Sequence, residues 1–254
     1  MKKRISYTQI ALIAFGMIAG ITASVNGAPK SPEQIMEKVD EQRSPSTARS
    51  RMSMRIFRSM DATEADREIR MLSYARGVED SHLEFASPRN IRGLRVLDLD
   101  GAIRVFFPST GRVRNIGSSD RGGSVGGVGG DFSYEDMGGS GFMADYKDFE
   151  IEEETSEVWK IAAVPVDENS RYSRLVFHIE KDRHIPVQID YYENGEKAKE
   201  LQASRIREIS GRNVATHLIM RNIKNDSRTE ILMDEVEWDV PLDDDLFHPN
   251  RFFR

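Results

Sequence analysis

Apolar and polar residues alternate along most of the chain from Arg51 onward. Met52, Met54 and Ile56 are separated by polar residues, and so are Leu83 and Phe85. A period of two sends alternate side chains to opposite faces of a strand. LRVLDL and AIRVFF flank Asp100–Gly101, and PVQIDYYE and EKAKELQA flank Asn194–Gly195. Asp-Gly and Asn-Gly suit the positive φ angles of a two-residue hairpin turn, so both segments are predicted hairpins. DFEIE, VWKIAAVPV, SRLVFHIE, SRIREIS, VATHLIMRNI and TEILMDEVEW supply further strands. The total is about ten to twelve, with no long helical period between them to support a parallel β–α–β fold. The expected fold is mainly β with some α. It is a curved antiparallel sheet or incomplete barrel covered by short helices.

Two segments break the alternation at the start of the chain. SPEQIMEKVDEQR, residues 31–43, reads as a helix. Ser31 suits the cap, Pro32 the first helical position and Gln34 the third position of a capping box. Ile35, Met36 and Val39 form its apolar face. Before it, Lys2, Lys3 and Arg4 precede an unbroken run of apolar or small residues from 10 to 21. Twelve helical residues rise about 18 Å, short of the roughly 30 Å hydrocarbon core of a bilayer. Residues 1–28 therefore read as a secretory signal peptide, cut after Ala23 or Ala28. The expected location in a Gram-negative cell is the periplasm.

Composition narrows the function classes. The formal charge is −6 and there is no cysteine, so an exported product must be held together by its core. An acidic chain with scattered arginines is a poor nucleic-acid binder, and no nucleic-acid partner is expected. Asp98-Leu-Asp100-Gly101 resembles only a fragment of a calcium loop and is better used as a hairpin turn. His82, His178, His184, His217 and His248 form no HxH or HExxH arrangement. No phosphate-binding glycine loop and no GxSxG nucleophile motif occurs. The chain reads as no enzyme, with no cofactor and no metal site.

The sharpest local signal is GGDFSYEDM, residues 129–137, which follows the tract GGSVGG. Ser133 and Asp136 have capping-box spacing, so a short helix is expected there. Phe132, Tyr134 and Met137 then form an apolar underside, and Asp131, Glu135 and Asp136 are expected to face water. Glycine on both sides permits large backbone rotations. Residues 122–141 are accordingly a candidate gate, lying as a long loop within one domain.

Several motifs together resemble the LolA-like family of outer membrane lipoprotein-sorting proteins, most closely from Pro88 to Phe252. PRNIRG, AIRVFFPSTGRVRNI, GGDFSYEDM, YYENGEKAKEL and RTEILMDEVEWDVPLDDDLFHPNRF carry the resemblance. Asn115 stands where a second arginine is expected beside Arg114, and the glycine tract is richer than the family's. The resemblance implies that residues 29–254 form a single LolA-like domain binding lipid or lipoprotein. It implies a periplasmic carrier or chaperone that holds acyl chains of lipoproteins, or other lipids, in a hydrophobic cavity during envelope trafficking. The alternative is a non-catalytic adaptor of a resistance-nodulation type transporter in the inner membrane.

Burying each CH₂ of such a chain yields about 0.8 kcal/mol, so a cavity that opens and closes is sufficient. Met52, Met54, Met71, Met143, Met220 and Met233 are candidates to line it, methionine being adaptable to irregular shapes. Arg104, Arg112 and Arg114 are a candidate patch for anionic lipid heads or an acidic partner.

Overall fold

The computed structural model describes residues 31–138 and 140–254. The predicted signal peptide lies outside the described residues.

Helix α1 (Pro32–Arg43) begins as its sequence predicts. The Gln34 backbone N–H donates to the Ser31 hydroxyl at 3.3 Å, and the Ser31 N–H donates to the Gln34 side chain at 3.2 Å. Ile35, Met36 and Val39 are buried.

Thirteen strands follow. They are β1 (Thr47–Phe57), β2 (Arg67–Arg76), β3 (Asp80–Ser87), β4 (Arg95–Leu99), β5 (Ala102–Phe107) and β6 (Arg112–Asn115). Two short helices, α2 (Tyr134–Met137) and α3 (Phe142–Asp145), precede β7 (Tyr146–Glu154), β8 (Val158–Pro165) and β9 (Arg174–Glu180). The last four are β10 (Ile185–Glu193), β11 (Glu196–Ile209), β12 (Arg212–Asn222) and β13 (Ser227–Trp238). Asp100 and Gly101 have φ of 48° and 76°, and Asn194 and Gly195 have φ of 52° and 83°. Both predicted hairpin turns therefore form.

All thirteen strands join one sheet in the order β6-β5-β4-β3-β2-β1-β13-β12-β11-β10-β9-β8-β7. Two antiparallel meanders, β1–β6 and β7–β13, meet only where β1 pairs with β13, from Ala48 opposite Trp238 to Phe57 opposite Arg228. The sheet thus keeps two free edges, β6 and β7, as an incomplete barrel does. The crossover from one edge to the other, residues 116–145, runs through the glycine tract, α2 and α3.

The two faces of the sheet are covered differently. Met54, Ile69, Phe85, Phe177, Met220 and Ile231 belong to the main apolar cluster, together with α1 and the crossover. On the other face, Leu97 packs with Phe247 and Phe252 of the C-terminal tail. Elsewhere that face carries cross-strand ion pairs, including Arg49–Glu237 and Arg51–Glu235. No described helix is long and apolar enough to cross a membrane.

Candidate functional site

The crossover covers the apolar face as a plug. Val125, Val128, Phe132 and Tyr134 are buried in the main cluster, and Met137 packs against it. The glycines allow a close approach to the strands. Gly130 has φ of 86°, and a Cβ there would lie 2.9 Å from the Thr229 hydroxyl. Around it the tract is held by polar contacts. Arg67 donates to the Gly127 and Val128 carbonyls at 2.9 and 2.6 Å, and the Gly126 N–H donates to the Tyr134 hydroxyl at 3.1 Å.

Helix α2 is capped as expected. The Asp136 N–H donates to the Ser133 hydroxyl at 3.3 Å, and the Ser133 N–H donates to the Asp136 carboxylate at 2.7 Å. The expected exposure of the carboxylates is overturned. Asp131 and the Asp136 side chain are buried, and Glu135 is half-buried. The reason lies in polar side chains that the strands turn inward. The Lys199 ammonium, only 3 % exposed, donates to the Asp136 carboxylate and to the Asp131 carbonyl, both at 2.7 Å. Ser227 and Thr229 donate to the Asp131 carboxylate at 2.6 and 2.8 Å. The Tyr172 hydroxyl donates to Asp136 at 2.6 Å. Glu135 accepts from the Ser170 hydroxyl and from the Arg171 N–H, while burial pushes its pKa up. The motif is therefore latched to the sheet on its acidic side as well as its apolar one.

Beside the latch lies a cleft of about 510 Å³. Helices α2 and α3 form its roof, Leu175, Ile189, Tyr191 and Leu201 its floor, and the loop after β8 one wall. Met137 and Phe142 line it on the roof side. The N-terminal helix holds that roof in place. Asp40 accepts the backbone N–H groups of Phe142 and Met143 at 3.0 and 2.9 Å. Arg43 lies 4.0 Å above the Phe142 ring. Asp145 accepts from the Ser140 N–H at 3.0 Å, and burial raises its pKa. Among the described residues no group of His, Cys, Asp and Glu has the makings of a metal site.

The three candidate arginines are not gathered on one face. Arg104 sits opposite Asn115, whereas Arg114 sits opposite Val105 and Arg112 opposite Phe107. Arg112 and Arg114 are exposed, and Arg114 pairs with Asp120 at 2.7 Å. Arg104 is half-buried on the tail side of the sheet, donating to the Pro249 carbonyl at 3.5 Å. Of the methionines, Met54, Met71 and Met220 are buried in the main cluster, and Met52 and Met143 pack against it.

Sequence reasoning missed Lys199, Thr229 and Tyr191. A signal for the first was present. Leu201 opposes Met220 on the inward face, and alternation then puts Lys199 inward as well.

Comparisons with known proteins bear on this architecture. The family model that matches, described as an uncharacterized protein family, covers residues 77–254. A putative outer membrane lipoprotein-sorting protein domain from Vibrio parahaemolyticus superposes with a TM-score of 0.76 at 21 % identity, covering 88 % of this chain and 100 % of its own. A DUF1329 family protein from Desulfovibrio piger gives 0.76 at 21 % identity, covering 86 % of this chain and 96 % of its own. A LolA superfamily protein from Nitrosomonas europaea gives 0.71 at 20 % identity, covering 87 % and 99 %. No curated protein matches the chain. At these identities the likeness is one of fold, and the fold is LolA-like.

Proposed function

The chain belongs to that family of uncharacterized proteins, and with its LolA-like fold as the footing we propose that it is a non-catalytic periplasmic carrier. In this reading residues 29–254 act as one domain, exported by the segment before them. The ligand is a lipid or an acylated lipoprotein, and the acyl chain enters between the sheet and its cover.

The observation that carries the reading is the construction of the cover. Residues 116–145 cross the apolar face from edge to edge. Phe132, Tyr134 and Met137 face the core, and the attachments of the segment are hydrogen bonds and ion pairs, Lys199–Asp136 and Arg121–Asp167 among them. In this reading the segment exchanges between the attached arrangement and a lifted one, and a chain that replaces its apolar side favours the lifted one. The cleft beside it, about 510 Å³, is within the range of small-ligand sites.

A second reading is supported by how much of the apolar face the protein fills with its own residues, α1 and Val125 among them. It is an adaptor of an inner-membrane transporter, with the filled core as its permanent state. The exposed Arg112 and Arg114 then offer a place for an acidic partner surface or for anionic lipid heads.

Native mass spectrometry after gentle extraction, with a fluorescent acyl-chain probe, separates the two. The carrier reading expects co-purifying lipid and saturable probe binding. It also expects Phe132→Ser with Tyr134→Ser to speed probe release by about tenfold, the equivalent of roughly 1.4 kcal/mol of lost contact. A parent protein with no lipid and no probe binding overturns the carrier reading and leaves the adaptor.

A further inference from the structure

The two free edges of the sheet are not alike. Strand β7 is blunted against further pairing. Its register with β8 shifts between Lys147 and Glu150 and again between Ile151 and Glu153, and Asp148 has φ of 56°. Strand β6 carries no such break. It runs in unbroken register with β5, from Phe107 opposite Arg112 to Arg104 opposite Asn115, and its residues are all exposed. The Ile116 N–H donates to the Ile103 carbonyl at 2.9 Å, so these two residues form a hydrogen-bonded pair. Such pairs alternate along an antiparallel ladder. Arg114 therefore bonds to Val105, while Val113 and Asn115 turn their N–H and C=O groups away from β5. Among the described residues these outward groups have no backbone partner.

A second, independent observation is charge. The chain as a whole carries −6, yet residues 86–119 hold six arginines, two aspartates and no other charged side chain. Two of those arginines, Arg112 and Arg114, lie on β6 itself, on the face of the main cluster, opposite Phe107 and Val105. Arg114 pairs with Asp120 at 2.7 Å, and among the described residues Arg112 has no ion-pair partner. Val113, between them, lies on the other face opposite Phe106, which packs with the tail. It is 37 % exposed, where most large apolar side chains of the protein are covered. No residue of β6 lines the cleft.

We propose that β6 is a docking edge for an extended acidic segment of another protein, which adds to the sheet as one more strand. The backbone groups of Val113 and Asn115 bond to it. Arg112 and Arg114 then fall at its non-hydrogen-bonded positions, where facing Cα atoms are only about 4.5 Å apart. Acidic side chains at alternate positions of the segment meet the two guanidiniums, and the residue between them meets Val113. The edge therefore selects an acidic–apolar–acidic pattern. Main-chain bonds supply affinity in such additions, and alternate side chains supply specificity. The same two arginines turn away basic strands, and charge on an edge guards it against indiscriminate pairing. An anionic membrane would answer the charges but leave the backbone row unpaired, and it would repel the acidic remainder of the chain. The inference goes beyond both readings of the preceding section. It needs neither an open core nor a filled one, and its failure leaves the lipid measurement to decide between them.

The test measures binding of a capped peptide of alternating glutamate and valine to the whole protein at low salt. A lysine–valine peptide and phosphatidylglycerol vesicles are the comparisons. The glutamate peptide is expected to bind about tenfold or more tightly than the lysine peptide, with the difference narrowing as salt screens the charges. N-methylation of its valine amides, which face β6 in this register, is expected to weaken it about tenfold, and N-methylation of its glutamate amides much less. Val113→Pro removes an outward N–H but no bond to β5, so it is expected to lower peptide binding about tenfold while the thermal melt stays at the parental value. Arg112→Glu with Arg114→Glu is expected to weaken the glutamate peptide by a similar factor. Equal binding of the two peptides overturns the acidic assignment. Binding lost to the arginine reversals but indifferent to Val113→Pro and to N-methylation overturns strand addition and leaves a charged patch. Vesicle binding without peptide binding assigns the edge to lipid heads and overturns the proposal. So does self-association that Val113→Pro abolishes while no peptide binds, since the occupant is then a second copy.

Discussion

Lys199 is the residue on which the cover depends most. An ammonium placed inside an apolar face is several kcal/mol unfavourable unless it is paired and hydrogen-bonded. Here it meets Asp136 and the Asp131 carbonyl, and Asp136 in turn holds Ser133 and Tyr172. Removing one partner strands the other charge. Lys199→Met is expected to cost about 3–5 kcal/mol in urea unfolding, and the double substitution with Asp136→Asn less than the sum of the two singles. Additive losses in that cycle would show the two groups to be uncoupled. The two ends of this contact were not equally legible. The Ser133–Asp136 cap was readable because its partners are three residues apart. The Lys199–Asp136 pair spans 63 residues, and no local pattern announces such a meeting. Alternation marks Lys199 as inward but does not name what awaits it, so Asp136 was expected in water.

The same division between local and distant signals separates the helices. Helix α1 was readable from Ser31, Pro32 and Gln34, whose roles are all filled within one turn. Helix α3 was not, because FMAD carries no side-chain cap of its own. The acceptor for its first N–H groups is Asp40, 102 residues earlier in the chain. This makes α1 a strap over the roof of the cleft. Asp40→Asn weakens both bonds by removing the charge, since a charged acceptor holds a donor about twice as strongly as a neutral one. Hydrogen exchange at Phe142 and Met143 is expected to quicken severalfold, with exchange in β9 and β10 unchanged. Equal quickening throughout would mean that Asp40 supports the whole fold.

For the whole molecule, the alternation sufficed for the strands, the two hairpin turns and the antiparallel class. It did not specify which strands are neighbours, because β1–β13 pairing depends on residues almost the full chain apart. It also left the tail-covered face unread, and that face holds a group that responds to acid. His82 is 1 % exposed between Tyr74 and Phe252, with its pKa lowered to about 4, first by burial and then by Arg95. The unfolded chain therefore takes up this proton at higher pH than the folded protein does. The contribution of His82 to stability is complete above the unfolded value near 6.5 and falls as pH drops from there to about 4, by up to about 3 kcal/mol. His82→Phe is expected to flatten that part of the stability–pH curve, as followed by denaturant melts at several pH values. A curve that keeps its slope would place the sensitivity in other groups.

The β1–β13 seam has a kinetic meaning too. Synthesis delivers a chain from its N-terminus. Each meander assembles from hairpins whose strands are close in sequence, and such contacts form early. Strand β1 emerges long before its second neighbour, which ends at Trp238. Until that strand arrives, β1 presents an open row of backbone donors and acceptors, with Met52 and Met54 beside it. An unpaired row of this kind templates wrong pairings. The seam that makes one sheet of two meanders is thus also the last zip to close, and the window before it closes is when the nascent chain most needs to be kept from its neighbours.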